Sequence, residues 1–182
     1  MGKRYGVLAQ ASVLILGILV RAVFAQSQAP TDTTTEEPVF RPPFVVKLRH
    51  YEEHFDKVPY VAGDDVHLFA GENFGINVTM VGDQVSRITY QRDPAKGDVE
   101  FKFTQEKKGP MMMLFIRNGL TRRLFFDASM TVPERKGVYR TSVLPVEPAA
   151  TNVESWPHPI VQLVLRNLRF SPAAGTPAAP SR

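Results

Sequence analysis

The 182-residue chain contains no cysteine. It therefore has no disulfide, no thiol nucleophile and no thiolate metal ligand, and it cannot be a lipoprotein anchored through a cysteine. A G-x-S-x-G nucleophile elbow is missing as well, so the usual signal of a serine hydrolase is absent. Small secreted eukaryotic domains usually depend on disulfides, and an exported chain without them is more typical of a bacterial periplasm or exterior.

A real excess of positive charge is also lacking. The chain has 22 Lys and Arg against 18 Asp and Glu. Three of these cations, Lys3, Arg4 and Arg21, lie in the first 25 residues, which hold no acid. The remaining chain has 19 cations against 18 acids, a formal net charge of +1. Because no dense Lys and Arg stripe remains, we predict no nucleic-acid binding.

Residues 1–25 have the form of a secretory signal peptide. A short basic start is followed by the apolar run Val7–Val20 and by Val23-Phe24-Ala25, which predicts cleavage between Ala25 and Gln26. The apolar run is shorter than the ~20 residues that cross a bilayer. Cleavage is therefore favoured over a retained anchor, an alternative that Arg21 leaves open. We expect a periplasmic or secreted protein with no transmembrane segment in the mature chain.

Composition divides the rest of the chain into three parts. Residues 26–43 are rich in Thr, Pro, Gln and Glu and predict a disordered linker. Residues 171–182 are almost entirely Ser, Pro, Ala, Gly and Thr and predict a disordered tail. Residues 44–170 lie between them and have the usual size of one domain with one core.

The dominant hydrophobic period in this domain is two. Apolar and polar residues alternate over 76–80 and again over 99–103, as they do in half-buried strands. Turn residues recur about every ten positions, at Gly71, Gly82-Asp83, Asp93-Pro94, Lys108-Gly109-Pro110 and Pro133–Gly137. These patterns predict an all-β fold, an antiparallel immunoglobulin-like β-sandwich of about seven to eight strands, without the usual Cys–Trp–Cys pin.

Three segments carry more specific structural expectations. Asn118-Gly119 separates two apolar runs and predicts a two-residue hairpin. The segment Phe44–Phe55 fits both helical spacing and alternation, so its structure stays open. The last strand, Pro159–Phe170, would offer free backbone groups to a partner strand if it lay at a sheet edge.

The sharpest chemical motif is His50-Tyr51-Glu52-Glu53-His54. It fits H-x-x-E-H, in which two histidines on one helix face hold zinc and the glutamate activates water. A small metal-dependent hydrolase using His50, Glu53 and His54 is thus one alternative. A solvated polar segment is the other, because no third ligand is evident and such enzymes are larger. We predict no cofactor.

Met111 and Met113 raise a second metal question. Two positions apart on a strand, they share a face, and thioethers are suitable ligands of Cu(I). His67 or His158 would be available to join them. The alternative is that the methionines fill a buried strand.

The segment Glu147–Pro159 is predicted to be a long loop with the chain's only tryptophan, Trp156, and nearby His158. An exposed Trp156 would stack on a carbohydrate or anchor a protein partner. A buried Trp156 would instead close the end of the core. The leading expectation is an exported non-enzymatic bacterial envelope protein that acts by protein–protein interaction or self-assembly. The alternative is a periplasmic ligand-binding module for carbohydrate or copper.

Overall fold

The structure is a computed structural model, and it describes residues 37–48 and 50–172. The predicted signal peptide with its cleavage site between Ala25 and Gln26, most of the predicted linker, and residues 173–182 of the predicted tail lie outside the described residues.

Twelve β-strands and one short 3-10 turn make up the described chain, as the sequence pattern of alternation predicts. The turn is Pro94–Lys96, and Asp93 caps it by accepting a hydrogen bond from the Ala95 N–H. The strands are β1 Phe44–Leu48, β2 Tyr51–Phe55, β3 Val61–Ala62, β4 Asp65–Phe69, β5 Glu72–Val81, β6 Gln84–Gln91, β7 Val99–Gln105, β8 Met112–Asn118, β9 Leu124–Thr131, β10 Tyr139–Thr141, β11 Thr151–Trp156 and β12 Gln162–Phe170.

These strands form two five-stranded antiparallel sheets and a separate β1–β2 hairpin. One sheet has the order β10-β9-β12-β4-β3, and the other has the order β11-β8-β7-β5-β6. The all-β prediction with a β-sandwich-like fold is confirmed. The predicted number of seven to eight strands is too low. It leaves out β1 and β2, whose segment fitted two structures, and two edge strands: β3 has only two residues, and β11 lies in the segment predicted to be a loop. An edge strand pairs on one side only and needs less of the alternation that marks a buried strand.

One hydrophobic core joins the two sheets and the hairpin. Val99, Phe101 and Phe103 are fully buried, whereas their neighbours Glu100 and Lys102 point the other way. The opposite sheet contributes fully buried side chains from β4, β9 and β12, among them Leu68, Leu124, Leu163 and Leu165. Alternation along β7 and β8 therefore gives each of these strands one face in the core and one facing outward, as the period of two predicts.

The predicted hairpin at Asn118-Gly119 is wrong, because β8 and β9 belong to different sheets. Asn118 is fully buried, and its Nδ2 donates to the carbonyls of Arg122, Val146 and Glu147 at 2.7, 3.2 and 3.2 Å. A Cβ on Gly119 would lie 3.0 Å from the carbonyl oxygen of Asp98, so glycine is needed here for close approach. The pair turns the chain from one sheet to the other.

The last strand is not at an edge, so the strand-addition prediction for Pro159–Phe170 is wrong. β12 pairs with β4 on one side and with β9 on the other. Its alternate residues Leu163 and Leu165 are fully buried. Within the described chain, the ends of the other sheet are β6 and β11.

The N-terminal part of the domain is more ordered than its composition predicts. The segment Phe44–Phe55 forms the β1–β2 hairpin rather than a helix. Phe40 forms a β-bridge with Pro59, and Arg41 is only 3% exposed, although both residues fall in the predicted disordered linker 26–43. Among the described residues, no helix has the length and apolar character to cross a membrane.

Arg41 explains why this segment is fixed. Its Nε and Nη2 donate to the Glu72 carboxylate at 2.5 and 2.8 Å, and its remaining N–H groups reach the carbonyls of Val58, Pro59 and His67. The guanidinium carbon lies 3.9 Å from the ring centroid of Tyr60. All five N–H donors of the guanidinium thus have acceptors. We call Arg41, Glu72 and Tyr60 the Arg41 cluster.

Candidate ligand-binding pocket

A pocket of about 660 Å³ lies where four chain segments meet. The tip of the β1–β2 hairpin, the loop after β7, the connection from β9 to β10 and the connection from β11 to β12 all contribute to it. Its volume falls within the range of small-molecule sites in proteins. No single segment forms it, so its composition depends on how the sandwich brings the four together.

The walls of the pocket are mostly apolar and rigid. Three prolines contribute, and a proline ring fixes its own backbone and removes an N–H donor. Two tyrosines, Tyr51 and Tyr139, add aromatic surface. The aliphatic and proline lining consists of Leu48, Pro110, Met130, Val132, Pro133 and Pro159.

The polar lining contains far more hydrogen-bond donors than acceptors. Five side chains carry N–H groups, and one, Glu134, is a carboxylate. His158 uses its Nδ1 in a 3.2 Å contact with the carbonyl of Pro159. The five N–H-bearing side chains are His50, Gln105, Arg135, Arg140 and His158.

Gln105 has a buried hydrogen-bond donor that has no acceptor among the described residues. It is the last residue of β7, and its Nε2 is buried without a hydrogen-bond partner in the described structure. Such groups are rare in native proteins, because a buried donor without an acceptor costs about 1–3 kcal/mol. Gln105 is also one of the residues that line the pocket.

The pocket rim includes strained backbone. Glu134 has a φ of 61°, in the left-handed region that residues other than glycine rarely adopt. Gly137, three residues on, has a φ of 108°. A residue other than glycine in this region costs on the order of 1–3 kcal/mol, and such positions cluster at functional sites. The turn between β9 and β10 therefore holds Glu134 in a conformation that local propensity does not favour.

Tyr51 contributes a ring rather than a reactive hydroxyl. Its hydroxyl donates to the Glu53 carboxylate, and this hydrogen bond, with lesser contributions from burial and from the charge of Glu53, raises the pKa of Tyr51 to about 12. The phenol therefore stays neutral at physiological pH and its proton is already committed. Tyr51 is thus suited to contact with a ligand and unsuited to acid–base catalysis.

The H-x-x-E-H segment does not have the geometry that the zinc-protease motif needs. Tyr51–Phe55 is a strand, so Glu53 and His54 face opposite sides of it. His54 is 76% exposed and pairs with Glu52 at 3.4 Å, and His50 lies in the hairpin turn. In residues 37–48 and 50–172, no three His, Asp or Glu side chains group closely enough to hold a metal ion. The hydrolase prediction loses its helical basis.

The two methionines considered for copper do not line the pocket. Met113 lies on the outer face of β8 with Phe115, and both are half-buried, whereas Met112, between Met111 and Met113, is fully buried in the core. The Nδ1 of His67 is hydrogen-bonded to the Gln162 amide at 3.0 Å. The core interpretation of the methionines is correct for Met112.

Trp156 closes the core instead of forming an exposed recognition surface. The segment predicted as a long loop contains β11, and Trp156 ends that strand with only 7% of its surface exposed. Its indole N–H donates to the Thr141 hydroxyl at 2.7 Å, and its ring meets Phe103 edge to face. His158, two residues later, lies in the pocket.

Two residues of the pocket are candidates from the sequence, although for other reasons. The sequence marks His50 as a candidate zinc ligand and His158 as a neighbour of Trp156, and the fold brings both to one pocket. Gln105, Arg135 and Arg140 were missed, because each looks like an ordinary polar residue at a strand end or turn. The turn at Pro133–Gly137 was predicted from the sequence, but nothing in the sequence indicated that this turn lines a pocket.

Comparison with protein-family models, with curated proteins and with solved structures finds no match to this chain.

Proposed function

We propose that this chain is an exported, non-enzymatic binding module of a bacterial envelope and that the pocket is its working site. We further propose that its sandwich is of the immunoglobulin-like type. The observation that carries the binding proposal is the buried Gln105 donor that lacks an acceptor in an apolar pocket of about 660 Å³. A hydrophobic pocket with a few unsatisfied polar groups is the usual form of a ligand site.

Binding is favoured over catalysis by the chemistry of the lining. The phenol of Tyr51 is tied to Glu53, and the rest of the described chain contains no group of metal ligands. The pocket holds no serine, threonine or cysteine that would act as a nucleophile. What remains are five side chains with N–H groups, the Glu134 carboxylate and apolar walls, a set that suits the orientation of a ligand.

The binding proposal is tested with the neutral fluorophore N-phenyl-1-naphthylamine, which brightens on entering an apolar pocket. Val132 lines the pocket, and a Val132→Trp change fills it. Val138, on the same connection, is 62% exposed and outside the lining, so Val138→Trp is the matched control. We expect the wild type and V138W to bind the probe and V132W to bind it about tenfold more weakly, a difference of about 1.4 kcal/mol. Equal binding by all three folded proteins would reject the pocket as the working site.

Export is tested separately by expressing the whole chain in a bacterial host and sequencing the N-terminus of the protein recovered from the periplasm. We expect Gln26 as the first residue. Recovery of the chain in the membrane fraction with Met1 retained would favour the uncleaved anchor.

Self-assembly is a second candidate, and the β6 edge favours it. The Val78 N–H donates to the Asp98 carboxylate at 2.8 Å, away from β6. Val78 and Ile88 therefore form a non-hydrogen-bonded pair, which leaves the backbone groups of Ile88 on the open edge. Open edge groups can pair with a strand of another molecule.

A lysine at the exposed Ser86 of this edge should reduce self-association, because a charge on an edge strand discourages pairing. Light scattering over a wide concentration range would measure self-association, with Ser142→Lys, a change at an exposed residue just after β10, as control. A wild-type protein that remains monomeric throughout would remove this candidate.

A further inference from the structure

We propose that the pocket takes a small organic anion, a molecule with an apolar body and one acidic head group. The inference rests on the proposed function, because it concerns the same pocket and names the class of its ligand. Three observations support it: the positive charge of the unpaired arginines, the unsatisfied donor of Gln105 and the apolar lining of the pocket.

The charge of the lining is positive on balance. Two guanidinium groups, Arg135 and Arg140, stand against one carboxylate, Glu134. Neither guanidinium forms a hydrogen bond or ion pair within the described residues, and Arg135 does not pair even with its chain neighbour Glu134. A hydrogen bond from Asn167 is the main cause of the lowered pKa of Asp127, and the charges of Arg169 and Arg140 lower this pKa further from a longer distance. The fixed partners that would neutralise these cations are missing from the pocket.

Several other arginines of the molecule form ion pairs with carboxylates. Arg117 reaches Glu100 at 2.9 Å, Arg122 reaches Asp83 at 2.7 Å, and Arg166 reaches Asp65 at 2.9 Å. An unpaired guanidinium is suited to bind a carboxylate, sulfonate or phosphate through two parallel N–H donors. Arg135 and Arg140 are the two that combine an unpaired guanidinium with a place in the pocket lining.

Gln105 adds a neutral donor in a buried position. Its Nε2 needs an acceptor, and an anionic head group supplies acceptor oxygens without bringing a donor that would clash with the N–H groups around it. A cationic ligand would instead meet two like charges and find one carboxylate.

The remaining lining selects the body of the ligand. The rings of Tyr51 and Tyr139 and the prolines Pro110, Pro133 and Pro159 offer flat, rigid apolar surface. Such walls favour an aromatic or branched aliphatic group over a fully hydroxylated sugar. An aryl or alkyl acid therefore matches both the walls and the donors.

The test compares two probes with the same aromatic body. 1-Anilinonaphthalene-8-sulfonate carries a sulfonate on the N-phenyl-1-naphthylamine framework, so the pair isolates the effect of the negative charge. We expect the wild type to bind the sulfonate at least about tenfold more tightly than the neutral probe, since a charge-assisted bidentate contact is worth about that much. Equal affinity for the two probes would overturn the anion proposal and leave the binding module intact, whereas loss of both would reject both.

The variants locate the effect. Arg135→Gln combined with Arg140→Gln removes the two pocket cations, and Lys136→Gln removes an exposed cation of the same turn that does not line the pocket. We expect the double variant to bind the sulfonate about tenfold more weakly and the neutral probe unchanged within about twofold. K136Q should match the wild type on both probes. A sulfonate affinity that survives the double variant would overturn the assignment, and near-UV circular dichroism confirms that each variant is folded.

A displacement experiment separates the two sources of such an anion. N-acetylphenylalanine represents a free small acid, and a pentapeptide ending in phenylalanine represents the carboxyl terminus of a protein partner. Their amidated forms lack the charge. Displacement of the sulfonate by both acids supports a peptide terminus, and displacement by N-acetylphenylalanine alone supports a small acid. Displacement by the amides as readily as by the acids would overturn the proposal.

Discussion

Arginines occur in two contrasting settings in this molecule, at Arg41 and around the pocket. Arg41 is 3% exposed, and its guanidinium donates to one carboxylate and three backbone carbonyls. Arg135 and Arg140 are exposed, and neither has a hydrogen-bond acceptor in the described structure. The β1–β2 hairpin links the two regions, because Phe44 at its base packs on Phe69 beside Arg41, and Tyr51 at its tip lines the pocket.

The two settings lead to different expectations for mutation. A charge that is buried with every donor paired holds segments together, because separating it from its acceptors leaves charges stranded in a low dielectric. An exposed charge next to an apolar pocket contributes little to the fold, because water already solvates it. Changes at Arg41 should therefore alter stability, and changes at the pocket should alter ligand binding alone.

The largest effect is expected at Arg41. Arg41→Met strands the Glu72 carboxylate, and we expect it to lower the free energy of unfolding by about 3–5 kcal/mol. Replacing both Arg41 and Glu72 by Met should cost less, because neither charge is left without its partner. Urea denaturation measures all three proteins.

Arg166 supplies the control for Arg41. It pairs with Asp65 at 2.9 Å but is half-exposed, so Arg166→Met should cost about 0–1 kcal/mol. An R41M protein as stable as R166M would show that burial and full pairing do not distinguish the Arg41 cluster.

Asn118 is a neutral counterpart of Arg41, and its loss should have the next largest effect. Asn118→Ala removes the donor to three carbonyls and the Oδ1 acceptor of the Leu120 N–H at 3.1 Å. We expect a loss of about 1–3 kcal/mol in the free energy of unfolding. Asn152→Ala, at a half-buried residue of the edge strand β11, should stay within about 0.5 kcal/mol. A similar loss for both would contradict the special role of Asn118.

His67, whose carbonyl accepts from Arg41, should give a smaller effect that depends on pH. Burial lowers the pKa of His67, the charges of Arg41 and Arg166 lower it further, and Asp65 opposes them. The unfolded chain therefore binds a proton at a higher pH than the folded chain does. Stability from this group is fully present above the ordinary histidine pKa and declines as the pH falls through that value.

Thermal unfolding of wild type and His67→Gln between pH 7.5 and 5 checks this expectation. The wild type should lose more stability on acidification than the variant. Parallel curves would mean that His67 does not titrate differently in the folded and unfolded states.

The smallest stability effect is expected at the pocket. The double variant R135Q/R140Q should unfold within about 0.5 kcal/mol of the wild type, because neither guanidinium holds another part of the fold. A loss comparable with that of R41M would erase the contrast between the two regions and point to a structural role for the pocket arginines.

Turn prediction succeeded where local backbone geometry determines the conformation of the turn, and it failed where tertiary contacts determine that conformation. Gly82-Asp83 is a two-residue connection between β5 and β6, and Gly82 has the positive φ of 61° that such turns need. Asn118-Gly119 has the better hairpin sequence, yet Asn118 is held by carbonyls more than 20 residues away at Val146 and Glu147. A local pattern cannot register such distant acceptors.

The candidate site was predictable in fragments. His50 and His158 stood out because histidines are rare in this chain, which has four. Gln105, Arg135 and Arg140 carry no motif, and their significance lies in the partners that they lack. A missing partner is a property of the folded molecule and leaves no mark in the neighbouring residues.

Alternation with a period of two was enough to predict an all-β chain, because it gives most strands one apolar face that must be buried. The absence of cysteine likewise excluded a disulfide. The central position of β12, the place of Arg41 in the folded domain and the pocket lined by four segments could not be predicted in this way. Those features depend on which strands pair and which loops meet, and these contacts join residues far apart in the chain.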